Sequence, residues 1–167
     1  GYHAIEFLLW GQDDANTSTL EAGNRPYTDY TTAANADRRK SYLGYTSDLL
    51  VDHLQTLVDE WDPSKSDNYR AEFIALENDV ALKNMMSGMG ILSKSELAGE
   101  RIFTALDNQN QEDEHSCFSD NTHRDIILNA KGIQNVYLGT YNKVDGSTIE
   151  GTSLKDLLER VDKKLAE

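Results

Sequence analysis

Apolar residues at helical spacing fill one long stretch of this chain and constrain its fold more than any other feature. In DRRKSYLGYTSDLLVDHLQTLVDEWD they recur every three or four positions: Leu43, Leu50, Leu54, Leu57, Val58 and Trp61. This spacing predicts an amphipathic helix of about 25 residues over 37–61. Pro63 disfavours helix at the preceding Asp62, so we expect the helix to end there.

Other segments also predict helices. A short first helix spans about 2–10 and ends at Gly11, followed by a long polar loop over 11–36. A third helix spans 68–106, in which Gly88 and Gly90 indicate a kink or a close helix crossing. Further helix starts are indicated at Ser93 with Glu96, at Ser119, and at Ser153 with Asp156, since such residues cap helix amino termini. The last helix carries an apolar stripe: Leu154, Leu157, Leu158, Val161 and Leu165.

The fold class predicted from these segments is all-α, an up-and-down helical bundle with essentially no sheet. The helices at 37–61 and 68–106 should be the longest and should pack antiparallel, because the link between them is short. We divide the chain into 1–34, the first helix with its loop, and 35–167, the bundle. The last helix has no carboxyl-terminal cap, so we interpret the bundle as truncated there.

The net charge of −13 argues against a nucleic-acid partner, because binding a phosphate backbone requires clustered Lys and Arg. No apolar run reaches the ~18–20 residues of a membrane span. A single cysteine, Cys117, excludes an internal disulfide. The sequence as given begins in an apolar segment, and we recognise no signal-peptide pattern in it. We therefore expect it to be a fragment or a processed piece.

A polar pair, His3 and Glu6, interrupts the apolar first helix. Residues three apart share a helix face, and burying unpaired polar groups costs roughly 1–3 kcal/mol each. The spacing matches only half of the zinc-peptidase motif H-E-x-x-H, since Phe7 stands where the second histidine would be. A structural pair and a metal site both remain open.

The stretch EDEHSCFSDNTHRD is the richest source of partners for that pair. We predict that both clusters form one polar site, with Arg101 balancing Glu112 or Glu114 if no metal is bound. The predicted metal ligands are His3, Glu6, His115 and His123. The predicted ligand-binding residues are Arg101, Glu112, Glu114, Ser116, Ser119 and Asp120. No catalytic residue is assigned.

Other reactive side chains favour plainer interpretations. Cys117 beside His115 suggests a thiol nucleophile, but a lone cysteine near a helix start is more often a small packed residue. Ser116 and Ser119 lack the G-x-S-x-G context of a hydrolase nucleophile. The methionines at 85, 86 and 89 are more typical of core filling than of a soft-metal site.

Two stretches resemble a known family. GYHAIEFLLWG resembles the G-x-H-x-x-E signature of the imelysin family, with Gly1, His3 and Glu6 at the signature positions. ELAGERI and QEDEHSCFSDNTHRDI, with GIQNVYLG further on, resemble the central region of its iron-regulated A-type members. The resemblance implies an all-helical, two-lobed fold with the signature between the lobes, and makes 1–34 a remnant of the amino-terminal lobe.

The resemblance also implies a function. It points to an exported bacterial protein, periplasmic or associated with the outer membrane, that takes part in iron uptake and binds a metal ion or small ligand. The implied cofactor is a divalent metal or iron. The alternative is a metallopeptidase of the insulin-cleaving imelysin class. Family members are about twice as long, so the expected partners are the missing amino- and carboxyl-terminal helices or a second copy. The absent amino terminus would carry any membrane anchor.

Overall fold

The computed structural model describes residues 1–13 and 21–166, and helices make up most of them. The helices are α1 (Tyr2–Trp10), α2 (Ala36–Glu60), α3 (Tyr69–Ile74), α4 (Asn78–Ile91), α5 (Thr104–Asn108), α6 (Thr122–Leu138), α7 (Leu154–Val161) and α8 (Lys163–Ala166). A π-helical segment, Leu92–Phe103, joins α4 to α5. Short 3-10 turns occupy Tyr27–Tyr30, Gln111–Asp113 and Cys117–Ser119. The all-α prediction is confirmed.

Helix α2 matches the predicted long amphipathic helix within one residue at each end. Hydrogen bonds from Asn68 hold the link that follows the end of α2. The Asn68 side-chain amide donates to the carbonyls of Asp59 and Asp62, and its oxygen accepts from the Ala71 N–H at the start of α3. Trp61 then packs edge-on against Tyr69, with ring centroids 5.4 Å apart. The predicted loop at 11–36 contains one 3-10 turn, and its residues 14–20 lie outside the described residues.

The predicted single helix at 68–106 is interrupted. It breaks at 75–77, between α3 and α4, and then continues without a gap from Asn78 to Asn108. The predicted restart at Ser93 is wrong, because the Ser93 hydroxyl donates to the Met89 carbonyl within a continuous helix. Beyond it the turns widen, and the Thr104 N–H bonds to the Gly99 carbonyl five residues earlier.

The expected antiparallel pairing of α2 with the 68–106 segment is not among the main helix contacts of the described residues. Helix α2 packs on α1 and on the 27–30 turn, whereas the π-helical segment packs on α6. The break at 75–77 divides the apolar stripe that this pairing required. An aromatic cluster of Trp61, Tyr69 and Phe73 is what joins the end of α2 to α3.

A small antiparallel hairpin follows α6 and was not predicted. Its strands are β1 (Thr140–Asn142) and β2 (Thr148–Glu150), with Tyr141 opposite Ile149. Gly139 ends α6 in a left-handed conformation with φ 61°. A β-carbon there would lie 2.7 Å from the Gly151 carbonyl, so only glycine fits. After the hairpin, Ser153 and Asp156 form the predicted capping box at the start of α7.

Burial is sparse across the described residues. The only buried apolar side chains there are Leu8, Ala36 and Cys117, and no large side chain is fully enclosed. The accessible surface is 12257 Å², whereas a compact monomer of this mass exposes about 8,300 Å². Within the described residues, no helix combines the length and the hydropathy needed to cross a bilayer.

Candidate functional site

His3 and Glu6 form a direct pair on one face of α1. Nδ1 of His3 lies 2.9 Å from Oε2 of Glu6, and the Glu6 residue is 9% exposed. An ionised carboxylate only accepts hydrogen bonds, so Nδ1 carries the hydrogen, and in the neutral imidazole Nε2 then keeps its lone pair. The pair therefore holds His3 in one tautomer.

Ser119, which lies 113 positions after Glu6 in the sequence, supplies the other hydrogen bonds to the Glu6 carboxylate. Its backbone N–H and its hydroxyl both donate to Oε1 of Glu6, at 3.0 and 2.7 Å. Phe7 and Phe118 stack edge-on beside this contact, with centroids 5.0 Å apart. The Gly23 N–H also donates to the Phe118 carbonyl. These contacts fasten the 117–119 turn to α1.

A second histidine–carboxylate pair lies beside the first. Nδ1 of His115 is 2.9 Å from Oδ2 of Asp125, in the first turn of α6, and the Ser116 hydroxyl donates to the same oxygen. The His115 ring meets the His3 ring edge to face, with centroids 4.8 Å apart. The structure thus places two imidazoles side by side, each oriented through Nδ1 by its own carboxylate.

The surroundings of the site shift the pKa values of Asp125 and Cys117. Burial alone would raise the pKa of Asp125, but hydrogen bonds from Ser116 and His115, with the charges of His115 and His3, bring that pKa below its ordinary value. Burial, reinforced by nearby Asp13, Glu112 and Glu6, raises the pKa of Cys117 to about 11. A buried thiol of this kind is not a nucleophile near neutral pH.

The paired histidines open onto a cavity of about 730 Å³, which we call the His3 cleft. Ile5, Leu9 and Trp10 form its apolar wall, and Ser116, Ser119 and Asn121 add polar groups. Among the described residues, no hydrogen bond uses Nε2 of His3 or of His115. Histidines held this way through Nδ1 present a basic nitrogen to a ligand or a metal ion.

The donor set meets the requirements of a bound metal ion only in part. The Nε2 atoms of His3 and His115 are suitable metal ligands. The carboxylates of Glu6 and Asp125, however, already accept hydrogen bonds from side chains of the network. Among the described residues, no three His, Cys, Asp or Glu side chains converge as metal ligands. A metal held here would need further ligands from water or from the molecule that carries it.

The structure brings some of the predicted site residues together and separates others. His3, Glu6, His115, Ser116 and Ser119 share the His3 cleft. The remaining predicted residues around 101–123 lie elsewhere: Arg101, Glu114, Asp120 and His123 line a separate cavity, and Glu112 accepts from Gln12 at 2.7 Å.

Two specific predictions are wrong. Arg101 does not balance Glu112 or Glu114. It donates to Asn129 at 2.8 Å and pairs with Glu96 at 3.3 Å, because Glu96 lies one turn earlier in the same π-helical segment and Asn129 lies on α6, which packs against that segment. Ser119 does not cap α6, since Asn121 occupies that position. The hydroxyl of Ser119 is committed to Glu6 instead.

Asp125 is the site residue that the sequence prediction missed. Its signal was available, because Asp125 lies in the polar stretch at the start of a predicted helix, where the helix dipole stabilises an acidic side chain. Here it accepts from Asn121 at 3.3 Å through its other oxygen, which fixes the carboxylate between the cap residue and His115.

The whole chain matches a known protein family. The family model described as Imelysin, named as an M75 peptidase, matches residues 1–167, the whole chain. No curated protein matches the chain.

Proposed function

Because the chain belongs to the imelysin family, we propose that it is an exported binding protein of bacterial iron acquisition that holds a metal ion or a small ligand in the His3 cleft. The observation that carries the proposal is the paired histidine network. His3 and His115 lie side by side, and each is oriented by a carboxylate. Such preorganisation favours binding, because the polar groups are already positioned when a ligand arrives.

The cleft has the features of a small-molecule site. An apolar wall faces a few oriented polar groups, and the volume suits a ligand of modest size. In this proposal, the ligand accepts or donates hydrogen bonds at the two Nε2 atoms, or a metal ion that it carries binds there. Ser119 does not touch the ligand but positions Glu6, and Asp125 positions His115.

Export to the periplasm or outer membrane is part of the same proposal. It rests on family membership alone.

A metallopeptidase is the second candidate, supported by the peptidase name of the matching family model. That reaction needs three protein ligands with an open position and a carboxylate base that is able to take a proton from water. Glu6 accepts from His3 through one oxygen and from Ser119 through the other. This arrangement supports a positioning role for Glu6 better than that of a base.

Titration calorimetry with Zn²⁺ and with Fe²⁺ under anaerobic conditions tests the binding proposal. Native mass spectrometry of the purified protein tests for a retained small ligand. We expect a ligand or metal with wild type, about tenfold weaker binding in His3→Ala, and a smaller loss in Glu6→Gln.

His53→Ala is the matched control, since His53 is exposed in the middle of α2. Its binding should equal that of wild type. Unchanged binding in His3→Ala would refute the His3 cleft as the site. Cleavage of an unfolded substrate that a chelator abolishes, and that Glu6→Gln loses, would favour the peptidase instead.

A further inference from the structure

A second cavity lies on the other side of the 111–123 segment. It has a volume of about 710 Å³, and we call it the Gln111 cleft. Ile102, Leu106 and Ile126 give it an apolar wall, contributed by the π-helical segment, α5 and α6. The opposite wall is polar and comes from the segment that separates this cavity from the His3 cleft. None of the residues that line one cleft also lines the other.

The charges that line the Gln111 cleft do not balance. Among the described residues, neither Glu114 nor Asp120 takes part in an ion pair. Arg101 is the one arginine or lysine among the residues that line the cleft. Its guanidinium is paired with Glu96, which lies outside the cleft. The cleft therefore presents a net negative charge beside an apolar surface.

Gln111 adds an unsatisfied acceptor to this wall. The residue is 8% exposed, and its side-chain nitrogen donates to Oδ1 of Asp120 at 3.1 Å. Because a carboxylate only accepts, this contact fixes the orientation of the amide. Oε1 is then left buried without a hydrogen-bond partner. Unpaired buried acceptors are rare in folded proteins and call for a donor.

We propose that the Gln111 cleft binds an organic cation, an ammonium or guanidinium group on a short apolar stem. The cationic head lies between Glu114 and Asp120. It donates to Oε1 of Gln111, the side-chain amide oxygen, after a small adjustment of the Gln111 side chain. The stem lies along Ile102, Leu106 and Ile126. This site goes beyond the proposed function, since it uses a different cavity and different residues. Anions are disfavoured there by the two carboxylates.

The test titrates the full chain with n-butylammonium and with n-butylguanidinium. Binding is measured by NMR from the chemical shifts of the Ile102 and Ile126 methyl groups. n-Butanol and butyrate serve as neutral and anionic comparators. We expect one saturable site for each cation and none for either comparator. Binding should weaken as salt rises, because the recognition is partly electrostatic. Glu114→Gln and Asp120→Asn should each weaken it about tenfold.

The variants are chosen to preserve the fold. Asp120 adopts a left-handed conformation with φ 53°, which asparagine also tolerates, and the asparagine oxygen still accepts from Gln111. Glu150→Gln is the matched control, since it removes one negative charge from the exposed strand β2, outside the Gln111 cleft. Circular dichroism confirms that each variant is folded.

Equal binding in wild type, Glu114→Gln and Asp120→Asn would overturn the proposal, because it would mean general attraction to an acidic protein. Absence of saturable binding by either cation would also overturn it. Neither result would bear on the His3 cleft, so the two proposals fail separately.

Discussion

At the scale of single residues, Asp125 connects the most groups of the His3 network. Its carboxylate accepts from His115, Ser116 and Asn121, and two of these donors meet at the same oxygen. The side chain is 19% exposed, so this is a partly desolvated group whose charge is stabilised by directed donors. Such groups link folding to proton binding.

We predict that Asp125→Asn lowers the free energy of unfolding at pH 7 by about 1–3 kcal/mol. The pKa of Asp125 is depressed in the folded state, so the unfolded state binds the proton more tightly. The stabilisation is therefore full above the ordinary carboxyl pKa of 3.8 and is lost as pH falls through the folded value. Urea unfolding of both proteins between pH 3 and 7 measures this.

The difference between wild type and Asp125→Asn should shrink below about pH 4. A difference that stays constant across this range would show that the charge of Asp125 contributes nothing. Asp52→Asn is the control, because Asp52 is exposed on α2 and its carboxylate makes no hydrogen bond or ion pair among the described residues. Its free energy of unfolding should equal that of wild type across this pH range.

At the scale of elements, Asn68 fixes the junction of α2 and α3. We predict that Asn68→Ala destabilises the chain by about 2–4 kcal/mol, because it removes a helix cap and two buried bonds to carbonyls. Asn68→Asp keeps the acceptor for Ala71 but places a buried carboxylate oxygen against the carbonyls of Asp59 and Asp62, so it should destabilise at least as much as Asn68→Ala. Thermal unfolding of the three proteins ranks them.

Asn84→Ala is the matched control, since Asn84 is exposed on α4 and makes no hydrogen bond among the described residues. It should be neutral or slightly stabilising. An effect of Asn68→Ala no larger than that of Asn84→Ala would contradict the assigned cap.

Local signals predicted the elements, whereas contacts distant in sequence decided the site. The Ser153 and Asp156 cap was predictable, because both partners lie within one turn. Asp145 followed by Gly146 is a strong hairpin signal, yet we predicted essentially no sheet. The fastening of Ser119 to Glu6 was only partly predictable. The pattern suggested that the two regions meet, but Ser119 looked like a helix cap until the fold showed what it contacts.

At the scale of the whole molecule, the exposed surface is the main feature. It exceeds that of a compact monomer by about 4,000 Å², comparable with large permanent interfaces. Among the exposed apolar side chains are Leu57, Val58, Leu106 and Leu165. We propose that further helices, from the same protein or from a second copy, cover these faces.

We predict that the chain in isolation associates or binds a hydrophobic dye strongly. Sedimentation velocity between low and high micromolar concentration should show species above 18.7 kDa, because burying apolar surface stabilises by roughly 25 cal/mol per Å². Leu57→Lys together with Val58→Glu should reduce the association. Thr56→Lys together with Gln55→Glu introduces the same charges beside them and should not. A stable monomer without dye binding would contradict the proposal.

The bonds from Ser119 to Glu6 join residues 113 positions apart. Closing so long a loop costs chain entropy before any contact compensates for it, and such pairings form late in folding. In synthesis, α1 is made before the turn that completes its polar pair, which adds a second delay. We therefore expect the His3 cleft to assemble late in folding, so that binding of its ligand reports that both distant segments are in place.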